Sequence, residues 1–541
     1  MTLTQAQLDT LMQQLEGDAY RNPEQFRQRV FWLAVMGYGY ILLVLSALSW
    51  VLVTIGLLQP GTVRYGSFWM GSAFVMALIL LGILVRSLWV RFPKPRGRRL
   101  RRKEVPQLFA LVDDLTRTLK TPKFHTILLT DEFNAGVVQI PRLGIFGWFQ
   151  NYLLVGLPLM QALTLEQFQA VLAHELGHLS GQHSRFTGWI YHIRQAWIQL
   201  LERLQKHHEE SRRGSGVWYI DTIMLLANGL GFLVFGWFFN WFVLRFTIHA
   251  FVLSRVNEYE ADRCAASWAG GESTAAALVS IYIKRRYLDR VFWREIFQQV
   301  TSNATLPDPM SLMAEALKQP IAPEKLTRWL KASLAEKTTS ADTHPCLTER
   351  LQALGYLDKI AAIAPQLVVR RSAAEALFDP ACLEQVTDQA NEAWKRSNAR
   401  FWQGRANHLQ DIAPKLQALQ QKAATQTLSL EEQWNRCKWT ADLQGDEAAI
   451  PLLRELLAEK SYHAPANYLL GRILLDQNDP KGIQFIENAV SCDPELTISG
   501  YELICNFLYY EQGDTDKLRH YHDEIEQSYF RSIFTSTGVY R

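Results

Sequence analysis

The chain has 541 residues and a formal net charge of only +3, which excludes a single compact core and argues against a nucleic-acid partner; two or three units are expected, each burying its own apolar surface. Six cysteines (Cys264, Cys346, Cys382, Cys437, Cys492 and Cys505) form no CxxC pair and are scattered along the chain. Neither a disulfide framework nor a cysteine zinc site is therefore expected.

Residues 1–29 are polar and read as a cytoplasmic N-terminal segment. Residues 30–58 are apolar without a charge, long enough for a membrane helix and too long for a cleaved signal peptide. A loop with Pro60, Gly61 and Gly66 leads to a second apolar run, 68–90, whose only charge is Arg86. The region 30–91 thus reads as a transmembrane hairpin. Eight basic residues and no acidic one follow between Arg91 and Lys103, so positive-inside reasoning places both outer ends in the cytoplasm.

Residues 104–185 have the pattern of a soluble α/β unit. Apolar spacing predicts a helix over 105–119, strands at 126–130, 136–140 and 152–157, and a helix over 163–180. Thr164 with Gln167 three residues on has capping-box spacing. An amphipathic stretch, 186–216, precedes a strongly apolar one, 217–253, which is broken by Asn228, Gly229, Gly231 and Gly236. The latter reads as a membrane hairpin or re-entrant segment. Residues 257–269 read as a separate helix stopped by Gly270 and Gly271. Residues 272–365 look helical and soluble. The tail, 366–541, carries a repeat: Gln444-Gly445-Asp446, Gln477-Asn478-Asp479 and Gln512-Gly513-Asp514 are offset by 33 and 35 residues. A period near 34 is that of helix–turn–helix tetratricopeptide (TPR) units.

The chemistry centres on His174-Glu175-Leu176-Gly177-His178. On a helix, residues i and i+4 share a face, so both imidazoles can aim at one cation, with Glu175 beside them as general base. The motif sits in an apolar helical run, where polar side chains are costly without partners, and a metal ion supplies one. A third histidine at metzincin spacing is absent: position 184 is Ser184, and His183 is one step off. A carboxylate is the better candidate. Glu258 and Asp262 form a second i, i+4 pair, Glu258 suited to bind the metal and Asp262 to brace a ligand histidine. Glu260 points elsewhere, and Glu202, Glu209 and Glu210 lie in an ordinary charged face.

Together these segments resemble the M48 metallopeptidases, the group containing the CAAX prenyl proteases and the bacterial HtpX-type membrane proteases. The resemblance extends to Asn134-Ala135, like the family's edge-strand element, to the lead-in 163–174, and to Thr343-His344-Pro345 with Arg350. It covers about residues 104–355 and departs at Gly136, where the family usually has a bulky residue. It implies one Zn2+ per chain held by His174, His178 and Glu258, and Glu175 as base. It also implies oxyanion stabilisation by His344 or Arg350, and substrate backbone beside Asn134 and Ala135.

The expected fold is mainly α with a small β-sheet: a membrane-anchored, gluzincin-type HExxH peptidase domain over 92–365 followed by a helical TPR-like domain over 366–541. The expected protein is a multi-pass bacterial inner-membrane endopeptidase with both domains facing the cytoplasm. Its partners are polypeptide substrate, the lipid bilayer and a protein docked on the tail, with no nucleic acid. The alternative is a membrane-anchored chaperone or binding scaffold with a vestigial metal site. A CAAX-type processing enzyme is disfavoured, because its large intramembrane chamber needs more spans than these.

Overall fold

The computed structural model describes residues 5–57, a few residues between 74 and 82, 94–142, 149–180, 190, 237–299, 305–338, 342, 344–512, 514 and 517–525. Most of the second apolar run, His183 and Ser184, the amphipathic stretch 186–216 apart from residue 190 (with Glu202, Glu209 and Glu210), the part 217–236, and Thr343 and Gly513 lie outside these residues.

The described chain is mainly helical around one small sheet. Strands β1 (Arg98–Arg99), β2 (Thr126–Thr130), β3 (Ala135–Pro141) and β4 (Phe149–Gly156) lie in the order β1-β2-β4-β3. β2 and β4 are parallel, while β3 runs antiparallel to β4 with Ala135 opposite Val155. β3 therefore forms an edge among the described residues. Gly156 is required at the end of β4. Its N–H donates to the Asn134 carbonyl at 2.8 Å, and a Cβ there would fall 1.9 Å from the Glu132 carbonyl oxygen. The loop before β3 is thus pinned where Asn134 sits.

Behind the sheet pack α3 (Pro106–Thr118), α4 (Leu157–Ala162) and α5 (Leu165–Gly177). Leu108, Val112, Leu115, Ile127, Leu153, Val155, Phe168 and Leu172 are buried together. The expected capping box is present: Gln167 N–H donates to Thr164 Oγ1 at 3.3 Å, and Gln167 Oε1 accepts from Thr164 N–H at 3.2 Å. It satisfies two of the amide donors that open a helix N-terminus.

The expectation of a separate helix over 257–269 is corrected. The segment is the last part of one continuous helix, α6 (Trp237–Ala269). Gly236 is the last glycine before Gly270, and no proline intervenes, so the second half of the apolar stretch runs straight into the acidic segment. The polar N-terminus is helical too, as α1 (Gln5–Arg21). Met12 and Ala19 on α1 pack with Phe26, Val30 and Ala34 of α2 (Pro23–Leu57) and with Phe242, Phe246 and Val252 of α6. Arg255 pairs with Glu16, and Arg27 Nη2 lies 2.5 Å from Glu260 Oε1. These contacts fasten the N-terminal helices to the turn of α6 that bears Glu258. Within α2, residues Pro23–Ile55 are the one stretch among the described residues long and apolar enough to cross a membrane. Its outer face leaves Trp32, Leu42, Leu43 and Trp50 exposed.

Helices α7 (Gly271–Tyr287), α8 (Pro309–Ala316), α9 (Pro323–Ala335) and α10 (Leu347–Leu354) complete the region around α6. Next come α11 (Ala373–Leu377) and the long α12 (Pro380–Ala423). Ala373, Leu377, Phe378 and Val386 enter the core behind the sheet, so the segment just after 365 is bound to the sheet-bearing unit. Five more helices follow: α13 (Leu430–Gln444), α14 (Asp446–Glu459), α15 (Ala464–Asp476), α16 (Lys481–Cys492) and α17 (Thr497–Phe507). α15 and α16 cross at two glycines. A Cβ on Gly482 would sit 2.6 Å from the Gly471 carbonyl oxygen and 2.7 Å from Leu475 Cγ. Gly482→Ala gains helix propensity of about 0.5–1 kcal/mol but overpacks this crossing, which typically costs about 1–3 kcal/mol. A net loss of about 1–2 kcal/mol, or a few degrees in the unfolding midpoint of the tail, is the expected thermal-melt result.

Candidate metal centre

Helices α5 and α6 meet at Gly177. A Cβ on Gly177 would lie 3.1 Å from Ala261 Cα and 3.2 Å from Cys264 Cβ. This close approach brings the histidine face of α5 against the carboxylate face of α6. His174 Nε2 and His178 Nε2 are 3.3 Å apart; His174 Nε2 lies 3.4 Å from Glu258 Oε2, and His178 Nε2 lies 3.4 Å from Glu258 Oε1. The three ligand atoms all fall within 4.8 Å of one another. Glu258 is 4% exposed and its Oε2 takes no hydrogen bond. His344 Nδ1 approaches that oxygen to 2.8 Å as an ion-pair contact, without the alignment of a hydrogen bond.

A buried carboxylate that faces two ring nitrogens, one through each oxygen, and whose Oε2 takes no hydrogen bond fits a cation. Ligands about 2.0–2.2 Å from a tetrahedral zinc stand about 3.3–3.5 Å from one another, which matches the observed spacings. Two imidazoles and one carboxylate also form a donor set that leaves a fourth position open.

The surrounding shell orients these groups. Asp262 Oδ1 is 2.9 Å from His174 Nδ1, and Arg350 grips Asp262 bidentately at 2.8 and 2.6 Å. Arg350 Nη2 also comes within 3.5 Å of His174 Nδ1. Burial opposes a charge on His174, yet its contacts with Asp262 and Glu258 outweigh burial and raise its pKa to about 9. Burial and the neighbouring His174 lower His178 to about 4. Burial pushes the Glu175 carboxyl above its ordinary range, with Glu258 adding to the effect and His174 opposing it. In Glu258, the two histidines His174 and His344 overcome burial and hold the carboxyl well below the usual range.

Glu175 lines a cavity of about 320 Å³ together with His174, Asp262, His344 and Arg350. Asn134 and Ala135 reach the same cavity from the edge strand. Glu260 is directed away, onto Arg27. At Gly136 a Cβ would meet nothing within 4 Å, so the space that a bulky family residue fills is open here. Three features escaped the sequence reading. The role of Gly177 was signalled only by a glycine inside a helix. The α1 brace was signalled by the spacing of Leu8, Leu11, Met12, Leu15 and Ala19. Tyr509 and Tyr510, which also line the cavity, carried no local signal.

Residues 138–358 match the model of peptidase family M48. The chain carries an M48 peptidase domain. His174, Glu175, His178, Glu258, Asp262, His344 and Arg350 lie inside the match, while Asn134 and Ala135 precede it. Protease HtpX of Acinetobacter baumannii (strain AYE) is 25% identical over 240 residues, 41% of this chain and 67% of the relative. Protease HtpX of Psychrobacter sp. (strain PRwf-1) is 27% identical over 158 residues, 26% of this chain and 48% of that protein. A Protease HtpX homolog of Acidovorax ebreus (strain TPSY) is 26% identical over 155 residues, 25% of this chain and 48% of that protein. No solved structure matches the chain significantly.

Proposed function

We propose that this M48 peptidase is a zinc-dependent, membrane-associated endopeptidase. It holds one Zn2+ on His174, His178 and Glu258 and hydrolyses peptide bonds of unfolded or membrane-associated polypeptides. The observation that carries this reading is the convergence of His174 Nε2, His178 Nε2 and the buried Glu258 carboxylate, whose ligand atoms lie within 4.8 Å of one another and whose Oε2 takes no hydrogen bond.

Zinc held by His174, His178 and Glu258 would supply Lewis-acid polarisation of the scissile carbonyl and lower the pKa of the attacking water. Glu175 takes the proton of that water and delivers it to the leaving amine, a role its raised pKa suits. His344 is 59% exposed at its side chain beside Glu258 and is placed to donate to the developing oxyanion. Arg350 has its guanidinium committed to Asp262 and acts by positioning. The open edge of β3 supplies backbone groups at Asn134 and Ala135 for an extended substrate strand.

The exposed apolar face of α2 supports membrane anchoring. We place the peptidase unit at about 92–365, on the cytoplasmic side of a multi-pass inner-membrane anchor, with the tail from 366 onward docked on it. The helix hairpins of 430–507 and the 33-residue offset support a TPR-like tail that binds a partner protein.

The test is Glu175→Gln. The full-chain variant should keep zinc at the wild-type level while casein cleavage falls about 100-fold or more. Undiminished cleavage in the variant, or a wild-type chain that takes up no zinc, overturns the reading and favours the scaffold alternative.

A further inference from the structure

A turn of the tail, Leu508–Gln512, lies at the catalytic cavity. Residues Leu508–Gln512 form a π-helical turn beyond α17, and Tyr509 and Tyr510 line the same cavity as His174, Glu175, Asn134 and Ala135. They stand outside the segment that matches the M48 model.

Their position is fixed by buried charge. Arg286 of α7 is 2% exposed. It donates to the Tyr509 carbonyl at 2.8 Å and the Tyr510 carbonyl at 2.5 Å, and pairs with Glu336 and Ser333. Its guanidinium also sits 5.2 Å and 5.6 Å from the two tyrosine rings. Buried Glu511 accepts from Arg328 Nε at 2.9 Å and from the Trp329 indole at 3.2 Å. The Tyr510 hydroxyl donates to Asp289 at 2.8 Å, and Asp289 belongs to a second π turn, Leu288–Phe292. A buried guanidinium left unpaired is costly, so the peptidase helices and the 508–512 turn of the tail hold each other in place. Widened π turns are frequent at functional sites, and here two of them meet beside one cavity.

We propose that Tyr509 and Tyr510 determine specificity: the tail supplies the aromatic wall of the substrate cleft, which accepts a bulky apolar or aromatic side chain next to the scissile bond. The rest of that wall fits such a side chain, since Val171, Leu278, Ile281 and Tyr282 line the cavity beside the two tyrosines. A volume of about 320 Å³ accommodates one aromatic ring. This inference rests on the peptidase reading.

The test uses the full chain with zinc and a set of internally quenched peptides that vary one residue at a time around the cleaved bond. For wild type, the preferred residue at one position is aromatic or large and apolar. In Tyr510→Ala or Tyr509→Ala, the ratio of kcat/KM for that peptide to its alanine counterpart should fall by about fivefold or more. Tyr510→Phe keeps the ring and should restore the ratio. A ratio unchanged in both alanine variants, or an equal change for every peptide, overturns the proposal. A second readout needs no turnover. A benzophenone amino acid at position 509 of the Glu175→Gln chain should photocrosslink β-casein, and absence of the crosslink overturns the proposal. A crosslink in a protein whose wild type never cleaves sinks the peptidase reading and leaves the wall standing.

Discussion

Glu258→Ala is expected to leave the chain folded, almost free of zinc, and inactive toward casein. Losing an outer partner of a metal ligand costs about 10- to 100-fold in affinity, and Glu258 is placed as a ligand itself, so the loss should exceed that range. Two histidines alone form an incomplete site for a catalytic zinc, which takes three protein groups and an open position. Glu260→Ala is the built-in control. Glu260 lies two residues along the same helix but faces Arg27 of α2, so its variant should keep stoichiometric zinc. Metal analysis of both purified proteins decides the matter. Full zinc occupancy in Glu258→Ala would falsify the ligand assignment.

The contrast between Glu258 and Glu260 also shows how far local pattern carries. The i, i+4 spacings of His174 with His178 and of Glu258 with Asp262 are enough to put each pair on one helix face. The strands at 126–130 and 152–157 and the Thr164 capping box are legible for the same reason, since each depends on neighbours in the chain. That the two helix faces meet is a tertiary fact, allowed by the missing Cβ of Gly177 against Ala261. The reading of 257–269 as its own helix failed because an apolar-to-acidic change in composition looks like a boundary, whereas a helix ends only where a stop signal stands. The arrival of Tyr509 and Tyr510 at the cavity could not be read locally either. Their partners Arg286 and Asp289 are 221–224 residues away in sequence, and only packing brings them together. The M48 match, which ends at 358, does not reach them.

Arg350→Met should be the most destabilising single change at the centre. Asp262 is 1% exposed, and burial alone would raise its carboxyl pKa; Arg350, and after it His174, hold it down at about 2. Without Arg350 a buried carboxylate loses its paired charge, which typically costs about 3–5 kcal/mol. A midpoint drop of several degrees in a thermal melt is the expected reading. Zinc affinity should fall as well, by about 10- to 100-fold, because Asp262 then no longer orients the His174 ring through Nδ1. The double variant Arg350→Met, Asp262→Leu separates the two effects. It removes the buried charge together with its partner, and such replacements are often neutral or stabilising, so the melt should recover most of the loss. Zinc affinity should stay low, since nothing is left to brace His174. If zinc binding recovers along with stability, the pair only supports the fold. If stability returns and zinc does not, Arg350 and Asp262 set the orientation of His174, and a contact 88 residues apart in sequence becomes part of the metal site.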